Sequence, residues 1–311
     1  MKKLIIGGAG FIGSVLVNRM LEEEKNLIVI DKLSLGSTNF IDISKLDFHN
    51  IDINDIDKVL RVLDEQTIDE VWHLAANSNI PLGIDDINVD LHDTFNSTVS
   101  TLEIMKRISC KKIYFSSSSA IYGLNKNRLH EDIGPLMPIS NYGAMKLASE
   151  ALISASLESF LDKVCIFRFP NVVGVPATHG VIFDFIKKLK KDMTNLDVLG
   201  NGTQQKPYLH VSELIEAMYF INNNTSNGLN YYNIGAMDDG VSVKQIAEET
   251  VKLVSPNANI NYQNTDRGWV GDVPKFYYSV DKLQKLGWSP RMSSLEAIQR
   301  AIKEIASQED A

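Results

Sequence analysis

Two side chains four residues apart carry the sharpest chemical signal in this 311-residue chain: Tyr142 and Lys146, in the run Asn141-Tyr-Gly-Ala-Met-Lys146. That spacing places both on one face of a helix. A phenol with its ordinary pKa near 10 is a poor base at neutral pH, but a neighbouring ammonium favours the phenolate, which can then act as a general base. Upstream, Ser116, Ser117, Ser118 and Ser119 form a run of hydroxyls able to hold a substrate oxygen while its proton leaves. The chemistry these residues suggest is deprotonation of an alcohol. A YxxxK pair also arises by chance on many helices, so its weight comes from the elements around it.

Those elements begin at the amino end. A short apolar run, Leu4 to Ile6, reads as a buried strand. Gly7, Gly8, Gly10 and Gly13 then turn it into a helix carrying Val15, Leu16 and Met20. The GxxGxxG spacing of Gly7, Gly10 and Gly13 lets backbone approach a pyrophosphate with no Cβ in the way, while helix N–H groups face the anion. A second strand, Leu27 to Ile30, delivers Asp31, whose carboxylate can accept both hydroxyls of an adenosine ribose and would repel a 2′-phosphate. The pattern therefore predicts a dinucleotide site that favours NAD over NADP.

A third strand near Leu46 to Ile53 ends at Asp52, and two roles fit that residue: reaching an adenine amino group, or capping a helix from Asp55 to Leu63. Glu70-Val-Trp-His-Leu-Ala-Ala76 reads as a fourth strand whose small end leaves room for a flat cofactor and equally suits core packing. A long helix is expected over Asp86 to Ile108, a fifth strand over Lys111 to Phe115, and a helix from Asn141 to about Leu161. Strands alternating with helices imply right-handed crossovers and a parallel sheet covered on both faces. Ligands of such sheets sit beyond the carboxyl ends of the strands, where the serine run stands. An oxidised nicotinamide ring there would add a second positive charge beside the tyrosine.

Composition sets the outer bounds. The chain is long enough for a large core, its 44% hydrophobic content is that of a globular protein, and no run is long enough to span a bilayer. A net charge of −8 argues against general nucleic-acid binding. The basic cluster Lys187, Lys188, Lys190 and Lys191 reads as the wet face of one helix. MKK before the first strand does not make a secretory signal, because the apolar run is short and interrupted by glycine. Cys110 and Cys165 lie in apolar runs and are expected as buried thiols in a reducing cytoplasm, and the histidines show no metal-ligand spacing. Beyond Val175 the pattern shortens and mixes. Helices are expected from His179 to Lys191, from Ser212, over Val243 to Val254 and over Leu295 to Ile305. Short strands are expected near Leu196 to Leu199, Lys206 to His210, Tyr231 to Ile234 and Ile260 to Tyr262.

Taken together, GGAGFIG at Gly7 to Gly13, Asp31, HLAA at His73 to Ala76, FSSSSAIYG at Phe115 to Gly123 and YGAMK at Tyr142 to Lys146 resemble the extended short-chain dehydrogenase/reductase family, in its nucleotide-sugar epimerase/dehydratase branch. RFPNVVG at Arg168 to Gly174, GNGTQQKPYLHVSEL at Gly200 to Leu214 and GDVP at Gly271 to Pro274 extend the likeness over nearly the whole chain. The resemblance implies an α/β fold: a doubly wound Rossmann sheet over residues 1–174 and a smaller α/β substrate lobe over 175–311, parts of which pack back on the first. It implies Tyr142 as base, Lys146 as its tuner and a holder of the nicotinamide ribose, and Ser118, four residues before Tyr122, as the hydroxyl partner. NAD would be held by Gly7, Gly10, Phe11, Ile12, Gly13, Asp31, Lys32, Asp52 and Ile53, with Leu74, Ala75, Ala76, Tyr142, Lys146 and Phe169. The nucleotide sugar would meet Asn77, Ser118, Ser119, Asn171, His179, Lys206 and Arg267. The family also implies a cytoplasmic homodimer that pairs the helices 86–108 and 142–161 in a four-helix bundle.

This chain departs from the family at several points. Lys206 stands where the family usually carries arginine, replacing a planar fork with a point charge. Pro207 and Ser212-Glu213 stand where acids are usual, and Trp269 replaces an arginine, leaving Arg267 as the nearest substitute. Trp269 could stack on a base or fill a gap. The family's 4,6-dehydratases carry Thr-Asp-Glu where Ser118-Ser119-Ala120 stands here, so no dehydratase activity is expected. The expected chemistry is hydride abstraction at C4 of the sugar. It ends in C4 epimerisation if the ketone turns over in place, and in dehydrogenation if the ketone leaves. A non-catalytic NAD sensor is the remote alternative, and its mark would be a damaged YxxxK pair.

Overall fold

The computed structural model describes residues 1–23, 26–265, 271 and 273–310. The chain divides into two compact units, one comprising Met1–Ile121, Ser140–Arg168 and Tyr219–Tyr232, the other Tyr122–Ile139, Phe169–Met218 and the chain from Asn233 onward. The two units interleave along the chain, with Tyr219–Tyr232 counted with the first and Tyr122–Ile139 with the second.

In the first unit β1 (Lys3–Ile6), β2 (Leu27–Asp31), β3 (Asp47–Asn50), β4 (Glu70–His73), β5 (Lys112–Ser116) and β6 (Lys163–Arg168) pair in parallel. The sheet runs in the order Gly228–Asn233, β6, β5, β4, β1, β2, β3. Every residue of β1, β4 and β6 is buried, as expected of strands covered on both faces. Leu4, Ile6, Ile28, Ile30, Val71, Ile113, Phe115 and Ile166 belong to one core cluster with residues of the flanking helices. Strand order reverses at β1, which has β2 on one side and β4 on the other, so the ends of β1 and β4 form the switch point where such sheets bind ligands.

Helix α1 (Phe11–Glu23) follows the glycine turn, and α2 (Ile56–Val62) is capped by Asp55, whose side chain accepts from the Lys58 amide. The helix expected over 86–108 runs without interruption through α4 (Ile87–Asp90), a π-helical stretch Leu91–Asn96 and α5 (Ser97–Arg107), and a short α3 (Ile80–Asp85) precedes it. The hydroxyls of Ser97 and Thr98 both donate to the Thr94 carbonyl, offering that turn an alternative to the regular backbone ladder. Helix α6 (Asn141–Ser156) starts on the Ser140 hydroxyl, which accepts from the Gly143 amide.

The second unit pairs Asn171–Val173 with Tyr208–His210 and Asn195–Val198 with Asn259–Tyr262, both in parallel, and Gln205–Lys206 antiparallel with Val241–Ser242. Its core gathers Phe185, Leu189, Leu196, Ile246, Ile298 and Ile302 from those strands and from the helices Val181–Lys191, Val243–Val254 and Ser294–Asp310. Pro207 splits the strand expected over 206–210 into two pieces, since proline supplies no ladder donor. The lysine cluster lies on the Val181–Lys191 helix, where Lys188 pairs with Asp184 and Lys190 with Asp310. Both cysteines are buried and free. No helix among the described residues is long and apolar enough to cross a membrane.

Candidate active site

The glycine turn is built where β1 ends. Gly7 has φ +80, and a Cβ there would lie 2.6 Å from the Ala75 amide nitrogen, so the end of β4 presses directly on the turn. A Cβ on Gly13 would collide with the Gly7 carbonyl oxygen. Packing alone therefore demands glycine at both. Gly10 is different: a Cβ there would meet only the Gly7 carbonyl oxygen, at an ordinary 3.6 Å. Nothing in the protein forbids a side chain at Gly10, and its bareness is what a pyrophosphate laid over the turn requires. The amides of Phe11, Ile12 and Gly13 are first-turn donors of α1, while the Ser14 amide already donates to Gly10 at 2.8 Å. These residues fit the expected dinucleotide.

Asp31, at the tip of β2, accepts the Ala9 amide on Oδ2 at 2.9 Å and the Leu33 amide on Oδ1 at 2.7 Å. Each carboxylate oxygen has two acceptor directions, so capacity remains for ribose hydroxyls. Asp52 does not cap α2. Its Oδ1 accepts the Asn54 amide at 2.9 Å and its Oδ2 lies 3.4 Å from Lys32 Nζ. Lys32 also donates to Asp93 at 2.5 Å. Burial opposes the lysine's charge, the two carboxylates outweigh it, and its pKa stays above the ordinary lysine value. Ile53 is buried beside them.

At the end of β5 the four serines take separate tasks. Ser116 Oγ donates to the His73 carbonyl at 3.3 Å, and buried Ser117 donates to Glu150. Ser118 Oγ accepts the Ala120 amide at 3.1 Å and stands near enough to Tyr142 to lower the pKa of its phenol, whereas Ser119 opens a short 3-10 turn, Ser119–Tyr122. Lys146 is 1% exposed and donates from Nζ to the Ser116 carbonyl at 2.6 Å, with its ammonium 4.6 Å from the Phe115 ring centroid and 5.9 Å from that of Tyr142. Tyrosine, serine and lysine thus meet at the end of the central strand.

Without the nicotinamide ring, burial dominates the charge states of the pair. Burial pushes the Tyr142 phenol up to about 12, with the Ser118 hydroxyl working downward and the Asp90 carboxylate upward. Burial likewise pushes Lys146 down to about 7, against Glu150 and Asp90, which favour its charge. Desolvation penalises the charged form of each, so in the protein alone the tyrosine rests as a phenol.

Other expected site residues are placed less simply. Buried Asn77 spends its amide inside the protein: Nδ2 donates to Asp90 Oδ1 at 2.9 Å and to the Asn79 carbonyl at 3.0 Å, and Oδ1 accepts the Asn79 amide at 2.9 Å. It therefore holds Asp90. Phe169, Asn171, His179 and Lys206 belong to the second unit. Asn171 opens the strand paired with Tyr208, and Lys206 sits opposite Val241. Exposed His179 bonds Thr178 Oγ1 at 2.9 Å. Arg267 and Trp269 lie outside the described residues. Arg168, 7% exposed, forms a buried ion pair with Glu150, with N···O distances of 2.7–3.2 Å. Sequence reasoning missed Asp90 and Glu150. Glu150 stands one turn beyond Lys146, a spacing that marks it as a neighbour, whereas nothing near Asp90 in sequence singles it out.

The chain is 28% identical over 318 residues to the UDP-glucose 4-epimerase of Lactobacillus helveticus, covering 96% of this chain and 94% of that one. It is 26% identical over 310 residues to the UDP-glucuronate 4-epimerase of Thermodesulfobacterium geofontis, again over 96% and 94%. A crystal structure of a UDP-galactose 4-epimerase superposes with a TM-score of 0.88 at 31% identity, over 99% of both chains. The family model for NAD dependent epimerases and dehydratases matches residues 3–235, and the chain belongs to that family.

Proposed function

We propose that this protein inverts C4 of a nucleotide-linked sugar. NAD, when bound, supplies a hydride acceptor and donor. The chain's part is acid–base chemistry: Tyr142 takes the proton of the C4 hydroxyl, Ser118 holds that oxygen by a hydrogen bond, and Lys146 stabilises the tyrosinate once it forms. After the keto sugar has turned over, Tyr142 returns the proton. The observation that carries this reading is the meeting of Tyr142, Ser118 and Lys146 at the end of β5, in the same unit as the glycine turn and Asp31.

Gly7, Gly10, Phe11 to Gly13, Asp31 and the β4 end at Leu74 to Ala76 would hold the cofactor, and Asn171, His179, Lys206 and Arg267 the nucleotide sugar. Uridine is the base we favour, since it is the base in the names of the relatives compared. Ser118-Ser119-Ala120 offers no carboxyl to expel water from C5 and C6, so the protein is not a 4,6-dehydratase. We further propose a homodimer. Ile87, Leu91 and Val99 are 51%, 37% and 38% exposed and fall on one helical stripe, and α6 exposes Ala144, Ala151 and Ala155. Two such faces suit a four-helix bundle between copies.

Incubation of the NAD-loaded protein with a panel of UDP-sugars, followed by chromatography of the sugars, tests the function. A C4 epimer with no net NADH is expected. Accumulating NADH with a released ketone would make the protein a dehydrogenase, and a 4-keto-6-deoxy product would overturn the exclusion of dehydratase chemistry.

A further inference from the structure

Asp90 is fully buried, and its setting is unusual for a carboxyl group. Oδ1 accepts from Asn77 at 2.9 Å, while Oδ2 has no hydrogen-bond partner. Gly83 faces Oδ2, and a Cβ there would collide with it, so the chain keeps a bare backbone to let the carboxyl in. The Gly83 carbonyl in turn accepts from Asn141 Nδ2 at 2.8 Å, tying this corner to the start of α6 beside Tyr142. An orphaned buried carboxyl oxygen costs stability, which calls for a compensating use.

The charges around it suggest that use. Glu150 is compensated by Arg168, and Asp93 by Lys32 and His92. His73 on β4 is held neutral, its pKa pushed to about 3 by burial and by Lys146. Asp90 accepts from the neutral Asn77, and burial raises its own pKa, opposed by Asn77, Thr94 and Lys146 and helped by Asp93. The helix that carries Asp90, α4, packs against α6, which carries Tyr142 and Lys146, so its charge favours the ammonium and disfavours the phenolate.

We propose that Asp90 is a positioning residue for the Tyr142–Lys146 pair, its buried carboxyl, seated against Gly83 beside the start of α6, setting the electrostatic surroundings of the pair until a cationic cofactor ring supplies the opposing charge. Asn77 and Gly83 hold it in place. This inference rests on the reading of Tyr142 as the base. Removing one negative charge lowers the pKa of both partners, so the two limbs of the pH profile move together toward acid. A merely structural loss would lower the profile without moving it.

The test is ultraviolet titration of tyrosinate in the NAD-loaded protein, with Tyr142 isolated by subtracting the same curve of a Tyr142→Phe variant. Asp90→Asn is expected to lower the Tyr142 midpoint by roughly one pH unit or more. Asp93→Asn, which removes a carboxylate already compensated, is expected to leave it in place. If Asp90→Asn does not fold, Asp90→Ser, which removes the same charge with a smaller side chain, is expected to move the midpoint in the same direction. An unmoved or raised midpoint, or an equal shift in Asp93→Asn, overturns the proposal. Absence of turnover with every sugar nucleotide would defeat the proposed function, while the titration would still report on Asp90.

Discussion

Lys146 reaches from the second turn of α6 to the carbonyl oxygen of Ser116, 2.6 Å away at the end of β5, and so ties α6 to the sheet. Tyr142 stands one helical turn earlier, with Ser118 as its hydroxyl partner. Replacing Tyr142 with Phe removes the proton acceptor and leaves the glycine turn intact. Turnover is expected to fall about 100- to 10,000-fold with NAD still bound, as read by steady-state rates beside a cofactor titration.

The glycines separate packing from binding. Gly13→Ala forces a side chain into the Gly7 carbonyl and is expected to lower the unfolding temperature, whereas Gly10→Ala meets only an ordinary contact and is expected to leave it unchanged. Gly10→Ala instead weakens NAD binding, by roughly tenfold or more, about 1.4 kcal/mol. Thermal unfolding and calorimetric titration of the two variants, side by side, check the contrast.

Glu150 and Arg168 are 5% and 7% exposed and bonded to one another. Glu150→Ala leaves the guanidinium buried without its partner, and a loss of about 3–5 kcal/mol is expected in urea unfolding. Pairing Glu150→Gln with Arg168→Met removes both charges and is expected to recover most of that loss.

His73 is fully buried, with Nε2 3.1 Å from Thr98 Oγ1 and Nδ1 unpartnered. Burial, and secondarily Lys146, hold its pKa at about 3 against an ordinary 6.5. The unfolded chain therefore binds a proton that the folded chain refuses, and stability falls as pH drops from about 6.5 to about 3. His73→Gln is expected to flatten that part of the acid slope relative to the native protein, measured by unfolding at a series of pH values.

The exposed stripe of Ile87, Leu91 and Val99 predicts that Leu91→Asp lowers the mass in solution from dimer to monomer, as read by light scattering. A native protein that is already monomeric would remove the basis for the bundle.

What was legible from residues alone follows from local physics. Short apolar runs broken by glycine mark β1 and its turn, four-residue spacing puts Tyr142 and Lys146 on one face, and an acid after an apolar strand marks Asp31, because each signal is carried by a few consecutive residues. Long-range contact decided the rest. Asp52 reads as a cap or an adenine partner, yet the cap is Asp55, and Lys32 draws Asp52 into an ion pair with a third charge, Asp93, far along the chain. The helix expected over 86–108 forms, and what the sequence did not show is its π-helical stretch at Leu91–Asn96, where the Ser97 and Thr98 hydroxyls bond the Thr94 carbonyl. The resting state of the Tyr142–Lys146 pair is set by burial, a property of the packed whole, and the carboxylate that faces the pair comes from Asp90, distant in sequence and adjacent only once α4 and the π-helical turn have packed against α6.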